Sequence, residues 1–318
     1  MKKGEASTKQ VLNSKYVKKI VLLLLLFNYS IFCLADELII EPENGRGPIL
    51  AAIEQSKLSI NLALYGLTDA SFMQALAQAK SAGKSVCVLL EPQPYKAVNE
   101  NTRAIQFLQH AQIPLHWPDT QFKFLHQKTF LFDHRAALVM TFNLTHSSFR
   151  NERNFALLII NPAMVQEIQR VFDADWERQK VTVTNPNLVW SPDNSRKKIL
   201  DFIQQAQSEI KIYTQNIANY QVIGALAKAA RANIKVQILL STLPTKKRLN
   251  YLRQAGVIVH FSHGYRVHAK IILVDQKKAM IGSINLTRIS LDKNRELSVI
   301  TKDKKVISEL TNTFERDF

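Results

Sequence analysis

The stretch RVHAKIILVD, Arg266–Asp275, sets a histidine and a lysine two positions apart ahead of a strand's worth of apolar residues. Ile271 to Val274 belong in a core, whereas a lysine is almost never buried unless its charge is compensated. The pattern recurs earlier in the chain. HQKTFLFD, His126–Asp133, falls on HAKIILVD, His268–Asp275, at an offset of 142.

Working outward from that match, the chain is a duplication of itself. At the same offset TFNLT (141–145) falls on SINLT (283–287), and Phe172 and Trp176 fall on Phe314 and Phe318. Upstream the offset is 150. PILAAIEQSKLSI (48–60) then matches KILDFIQQAQSEI (198–210), VCVLL (86–90) matches VQILL (236–240), and LIIEPENG (38–45) matches LVWSPDNS (188–195). The first copy therefore carries eight extra residues between Leu90 and His126.

Both copies give the same element order. Helices over about 46–57 and 196–207 lead into strands over 58–64 and 209–214. Alanine-rich amphipathic helices follow (70–82, 220–232), then β-branched strands (85–90, 234–240) and third helices (about 98–111, 246–255). The short strands IPLHW and VIVHF, the histidine strands, two further apolar strands and a closing helix complete each copy. Such alternation predicts an α/β fold: two similar mixed-sheet repeats, 36–180 and 181–318, packed about a pseudo-two-fold axis.

Composition narrows the partners. The 318 residues carry 42 Lys and Arg against 26 Asp and Glu, a net charge of +16. Without the first 35 residues 36 basic and 25 acidic residues remain, still net +11. An excess of this kind favours polyanions: a phospholipid or membrane surface, or nucleic acid. Residues 1–35 read as an export signal. Lys15, Lys18 and Lys19 precede the apolar run Ile20–Phe27, and Cys33 and Ala35 stand at the −3 and −1 positions of a cleavage site before Asp36. The expected location is periplasmic or secreted. The mature chain would keep one cysteine, Cys87, in an apolar run, which excludes a disulfide framework and a cysteine-based zinc site. His260, His263 and His268 could ligate a metal, but His268 is better explained by its motif. No metal and no cofactor are expected.

The motif His-x-Lys-x4-Asp gives the candidate catalytic set: His126, Lys128 and Asp133 with His268, Lys270 and Asp275. Residues i and i+2 of a strand share a face, so each histidine and lysine should point together. Asp133 and Asp275 fall on the opposite parity at the strand end, better suited to a positioning or turn role. A duplication would copy a structural His-Lys pair as readily as a functional one. However, the two strands have diverged at most other positions and still keep all three residues.

This paired motif resembles the phospholipase D superfamily, over essentially all of 38–318. GSINLT after the second motif (Gly282, Ser283, Asn285) and Glu296 in NRELSV fit the superfamily pattern. The first copy departs from it: Met140 and Thr141 replace Gly-Ser, Asn154 replaces the glutamate matching Glu296, and Glu152 falls on Asn294. Asn143 is retained. The resemblance implies a metal-independent phosphodiesterase working through a phosphohistidine. It assigns His126 as nucleophile and His268 as general acid and base. Lys128, Lys270, Asn143, Asn285 and Ser283 would hold the phosphate, and Glu296 would orient a histidine. It also implies a monomer with two pseudo-symmetric halves. The expected activity is an exported phospholipase D acting on phospholipid headgroups. A non-specific DNA/RNA endonuclease and an inactive binder of phosphate-bearing ligands are the alternatives. The short chain and the missing pair of membrane spans disfavour a cardiolipin synthase.

Overall fold

The computed structural model describes residues 35–95 and 99–318. Apart from Ala35, the expected export signal lies outside the described residues. Among them no helix is long and apolar enough to cross a membrane.

The first repeat contains strands β1 (Glu37–Glu41), β2 (Ser59–Leu64), β3 (Ser85–Leu90), β4 (Leu115–His116), β5 (Lys128–Phe132), β6 (Ala136–Met140) and β7 (Glu152–Ile159). Helices α1 (Gly47–Gln55), α2 (Ala70–Ser81), α3 (Thr102–His110) and α4 (Pro162–Glu177) accompany them. The second repeat supplies β8 (Leu188–Ser191), β9 (Glu209–Thr214), β10 (Lys235–Leu240), β11 (Ile258–Phe261), β12 (Arg266–Val267), β13 (Lys270–Val274), β14 (Lys278–Gly282) and β15 (Glu296–Thr301). Its helices are α5 (Ser195–Gln204), α6 (Tyr220–Arg231), α7 (Lys246–Gln254), α8 (Arg288–Asp292) and α9 (Lys304–Asp317).

The first sheet runs β1-β7-β6-β5-β2-β3-β4 and the second β8-β15-β14-β13-β9-β10-β11, the same order in both repeats. Along these paths the β2-β3-β4 and β9-β10-β11 pairs are parallel and the remaining neighbours antiparallel, and β12 of the second repeat joins the first sheet beside β7, parallel to it. Helices α2 and α6 make the crossovers that parallel pairs require. Their starts are fixed by Asp69, which accepts from Ser71 N, and by Asn219, which accepts from Gln221 N and Val222 N. Such caps contribute about 1 kcal/mol each.

The third helix starts at Thr102 rather than near residue 98. Asn101 is fully buried and spends its side chain on Leu67 N, Tyr65 O and Glu91 O, which ties the start of α3 to the segments just after β2 and β3. The histidine strands also begin later than periodicity predicts, at Lys128 and Lys270. His126 and His268 stand just ahead of them.

One apolar core joins the repeats. Leu131, Val139, Phe155 and Leu157 pack with Ile271, Ile281, Leu297 and Val299, and α4 and α9 add Val171, Phe172, Leu310 and Phe314. Tyr213 of the second repeat meets the Phe155 ring at 5.3 Å and the Phe314 ring at 5.0 Å. Continuity of this apolar packing across the repeats fixes one sheet against the other.

Candidate functional site

Each histidine is placed by the opposite repeat. His126 N donates to Arg295 O at 2.9 Å and Arg295 N to Phe124 O at 2.9 Å. In the matching strap, His268 N donates to Arg153 O at 3.2 Å and Arg266 N to Asn151 O at 2.9 Å. The segment leading into each motif thus runs beside the first residues of β15 or β7 in the other half.

Two buried arginines clamp these straps. Arg153 Nε donates to Asp317 Oδ2 at 2.7 Å and Nη1 reaches Glu43. Arg295 Nε donates to Asp175 Oδ2 at 2.8 Å and Nη1 to Asp193 Oδ2 at 2.7 Å. Asp175 and Asp317 are repeat mates, as are Glu43 and Asp193, so the two clamps are pseudo-symmetric. Each joins an arginine of one half to an aspartate of the other.

The straps bring four bases together. Lys128 and Lys270 are buried, and His126 and His268 keep 14% and 11% of their side chains exposed, enough to meet a ligand. Lys128 Nζ donates to His126 O at 2.6 Å, and Lys270 Nζ crosses to Thr141 O of the first repeat at 3.1 Å. Burial first, then the charge of Lys128, holds the Lys270 ammonium well below its usual pKa. Burial likewise pulls Lys128 down to about 7, against the opposing pull of Glu296 and Glu100. Among the described residues neither lysine forms an ion pair closer than 4.0 Å, so their compensation is only at a distance.

The carboxylates are where the halves differ. Glu296, on β15, places Oε2 2.8 Å from His126 Nδ1, while Oε1 takes Asn294 Nδ2 at 2.9 Å and the Ser290 hydroxyl. Asn294-Arg295-Glu296 is reversed in the first repeat as Glu152-Arg153-Asn154. Glu152 Oε2 lies 3.6 Å from His268 Nδ1, outside hydrogen-bonding range, and that nitrogen is buried with no partner. Burial is the largest cause pulling both imidazoles down, His126 to about 4 and His268 well below its ordinary value. For His126 the Glu296 carboxylate opposes this. For His268 the charges of Lys270, Lys128, Arg266 and His126 add to it.

Such geometry has a chemical consequence. An ionised carboxylate only accepts, so Glu296 holds His126 with its proton on Nδ1 and the Nε2 lone pair turned away. Four basic groups, two of them histidines that keep part of their side chains exposed, suit a phosphoryl anion.

The sequence profile described as "Cardiolipin synthase, PLD-like domain" matches residues 49–176 and 199–318, one segment in each repeat. The chain belongs to the phospholipase D superfamily. Cardiolipin synthase B of Shigella flexneri is 30% identical over 131 residues, 37% of this chain and 32% of that protein. Phospholipase D of Rickettsia prowazekii is 32% identical over 131 residues, 39% of this chain and 63% of that one. The chain therefore spans about one to two thirds of the length of these curated relatives. Among solved structures, phosphatidylserine synthase of Haemophilus influenzae superposes with a TM-score of 0.69 at 13% identity, covering 87% of this chain and 84% of that one. That likeness supports the fold. Cardiolipin synthases, set aside on chain length and missing spans, stand among the relatives of this superfamily member.

Three candidate residues are corrected by the structure. Asp133 and Asp275 are not at the site. They sit at the far ends of β5 and β13, at φ 54° each, opening hairpin turns with His134 and Gln276. Asp133 accepts the backbone N–H groups of Lys57, Leu58 and Ser59, and Asp275 those of Gln207, Ser208 and Glu209. Burial pushes both carboxyls up, yet the N–H donors outweigh it and hold them low. Asp tolerates the left-handed turn and supplies the acceptor, which accounts for it in both motifs. Ser283 is fully buried and bonded to Leu297 N and O, with no surface left for a phosphate.

Asn143 and Asn285 flank the straps, each with Oδ1 buried and without a partner. Asn143 packs on Gly66, where an added Cβ would come within 3.1 Å of its side chain. The adjacent Tyr65 ring lies 4.8 Å from the His126 ring and 5.1 Å from Lys128 Nζ. Sequence reading did not single out Tyr65, and Arg266 and the clamp arginines also escaped it. His116 and His260 stack on Trp176 and Phe318 as repeat-mate packing pairs.

Proposed function

We propose that the chain is a phospholipase D-type phosphodiesterase that transfers a phosphatidyl group through a covalent histidine intermediate. The observation that supports it is the cross-repeat meeting of His126, Lys128, His268 and Lys270, with Glu296 on His126 Nδ1.

His126 Nε2 attacks phosphorus while the bond to the leaving alcohol breaks, and His268 donates the proton that the departing oxygen needs. Burial first, then the surrounding cations, keeps His268 deprotonated, and the bound phosphodiester's negative charge offsets the cations' part. Lys128 and Lys270 donate to the non-bridging oxygens, and the side chains of Asn143 and Asn285 add polar contacts. Water then gives a proton to His268 and attacks phosphorus. The P–N bond breaks, returning His126 to its Glu296-bonded neutral form. A second alcohol in place of water would give transfer instead of hydrolysis.

The phospholipid assignment rests on the relatives' names and on the surroundings of His126. Tyr65, Phe124 and Tyr95 form an edge-to-face cluster with ring centroids 6.1 and 6.2 Å apart, and Tyr95 is 66% exposed. Aromatic surface at a mouth suits a lipid interface. The reading places the activity on the exported side of the membrane, from the sequence of residues 15–35 alone.

The test is turnover of phosphatidylcholine, cardiolipin, single-stranded DNA and RNA, each with excess EDTA, by wild type and His126→Ala. Headgroup release that survives EDTA and vanishes in the variant is expected. Cleavage of nucleic acid with no lipid turnover would replace this reading by a nuclease, and no turnover of either by a binder of phosphate-bearing ligands.

A further inference from the structure

Among the differences between the repeats, one glutamate and one asparagine have exchanged places beside the histidines. Positions 152 and 154 share a face of β7, and 294 and 296 the matching face leading into β15, because alternate residues point the same way. Moving the carboxylate from 154 to 152 therefore keeps it in the same pocket. In both halves the asparagine still donates to the glutamate, Asn294 to Glu296 at 2.9 Å and Asn154 to Glu152 at 3.0 Å. In both, a serine mate joins it, Ser290 to Glu296 and Ser148 to Glu152.

Two partners of Glu152 Oε1 have no mate: the Ser147 hydroxyl, which donates at 3.1 Å where the second repeat has Ile289, and Arg266. Arg266, two residues before His268 and paired in register with Glu152, binds Glu152 Oε1 with its guanidinium, and Phe124 stands in its place in the first repeat. Glu152 Oε2 is left 3.6 Å from His268 Nδ1, and the Arg266 side chain is 55% exposed. The groups facing His268 are thus Glu152, Arg266, Lys270, Lys128 and His126.

We infer that Glu152 is the positioning residue of His268, taking over the part that Asn154 cannot play, and that Arg266 restrains it. The inference rests on the proposed phosphodiesterase reading and deepens it: the two halves are not interchangeable. Glu296 holds His126 in the attacking form at rest. Glu152 closes on His268 Nδ1 only when Arg266 releases it, so the acid half is completed later than the nucleophile half.

Two measurements test this. Kinetics on phosphatidylcholine with EDTA, whose choline leaving oxygen needs a proton, should show kcat falling about tenfold or more in Glu152→Gln, with KM little changed and the basic limb of the pH profile moved to lower pH. Glu152→Asn/Asn154→Glu, which restores the Asn-Arg-Glu order, should recover activity to within a few fold. A merely structural Glu152 would give neither the limb shift nor the rescue. Independently of turnover, nitrogen NMR of His268 in the tungstate complex should show its pKa raised by Arg266→Met and lowered by Glu152→Gln. Unmoved His268 resonances in both folded variants would overturn the inference. If wild type fails to turn over any phosphodiester while those shifts appear, the activity reading falls and the Glu152 pairing stands.

Discussion

His126 of the first repeat takes its carboxylate from the second: Glu296 Oε2 lies 2.8 Å from His126 Nδ1. The proposed nucleophile and the carboxylate on its Nδ1 sit 170 residues apart in sequence, joined by the backbone strap between Phe124, His126 and Arg295. Glu296→Gln keeps the shape and can present its amide N–H where an acceptor is needed. Activity should fall about 100-fold or more while the melting temperature changes little, as for other catalytic tautomer errors. Steady-state kinetics beside a thermal melt checks this.

Binding of a phosphoryl anion should be coupled to proton uptake. Lys128 is held at about 7 by burial, so above that pH part of the protein must gain a proton before it holds the anion well. Inhibition by inorganic phosphate or tungstate should weaken as pH rises through about 7, approaching about tenfold per pH unit. Calorimetry in buffers of different ionisation enthalpy measures the proton directly, and Lys128→Met should abolish this component.

The same burial makes Lys128 a cost to folding. Its folded-state pKa lies below the unfolded value of 10.5, so the unfolded chain binds the proton more tightly. The penalty is full below about pH 7 and fades as pH rises toward 10.5. Lys128→Met should therefore be inactive yet melt higher at pH 7, by about 2 °C or more, with the gain shrinking at pH 9 to 10. Melts across that range decide it.

Breaking a clamp should separate assembly from chemistry. Arg295→Ala strands Asp175, which burial already pushes upward against the guanidinium that holds it down. A loss of about 3–5 kcal/mol is expected. Asp275→Ala leaves backbone N–H groups of Gln207, Ser208 and Glu209 without their acceptor and should cost about 1–3 kcal/mol. Its kcat per folded molecule should stay close to wild type, because Asp275 is a turn residue away from the site. Denaturant titration with active-site titration distinguishes the two.

Much of this was legible in the chain. The offsets of 142 and 150 recovered the duplication, and the two sheets do share one strand order. Parity placed Asp133 and Asp275 away from their histidines. Parity could not show that the histidines precede their strands, because the straps are cross-repeat pairings of short segments with no periodicity of their own. Reversal of Asn-Arg-Glu to Glu-Arg-Asn was visible as a mismatch, but where the displaced carboxylate goes depends on Arg266, a residue with no counterpart in the other half. Ser283 matched the superfamily pattern, and only the approach of β15, whose Leu297 backbone takes its hydroxyl, removes it from the site.

The most direct test of the account is to trap the covalent intermediate. A fluorescent phosphatidyl substrate, quenched with denaturant at neutral pH during steady state in the presence of EDTA, should leave the phosphatidyl group on one peptide through a P–N bond that acid breaks. Mass spectrometry should place it on His126 in wild type, with no adduct in His126→Ala. An adduct on any other residue, or continued turnover by His126→Ala, would contradict a site built from both halves with His126 as its nucleophile.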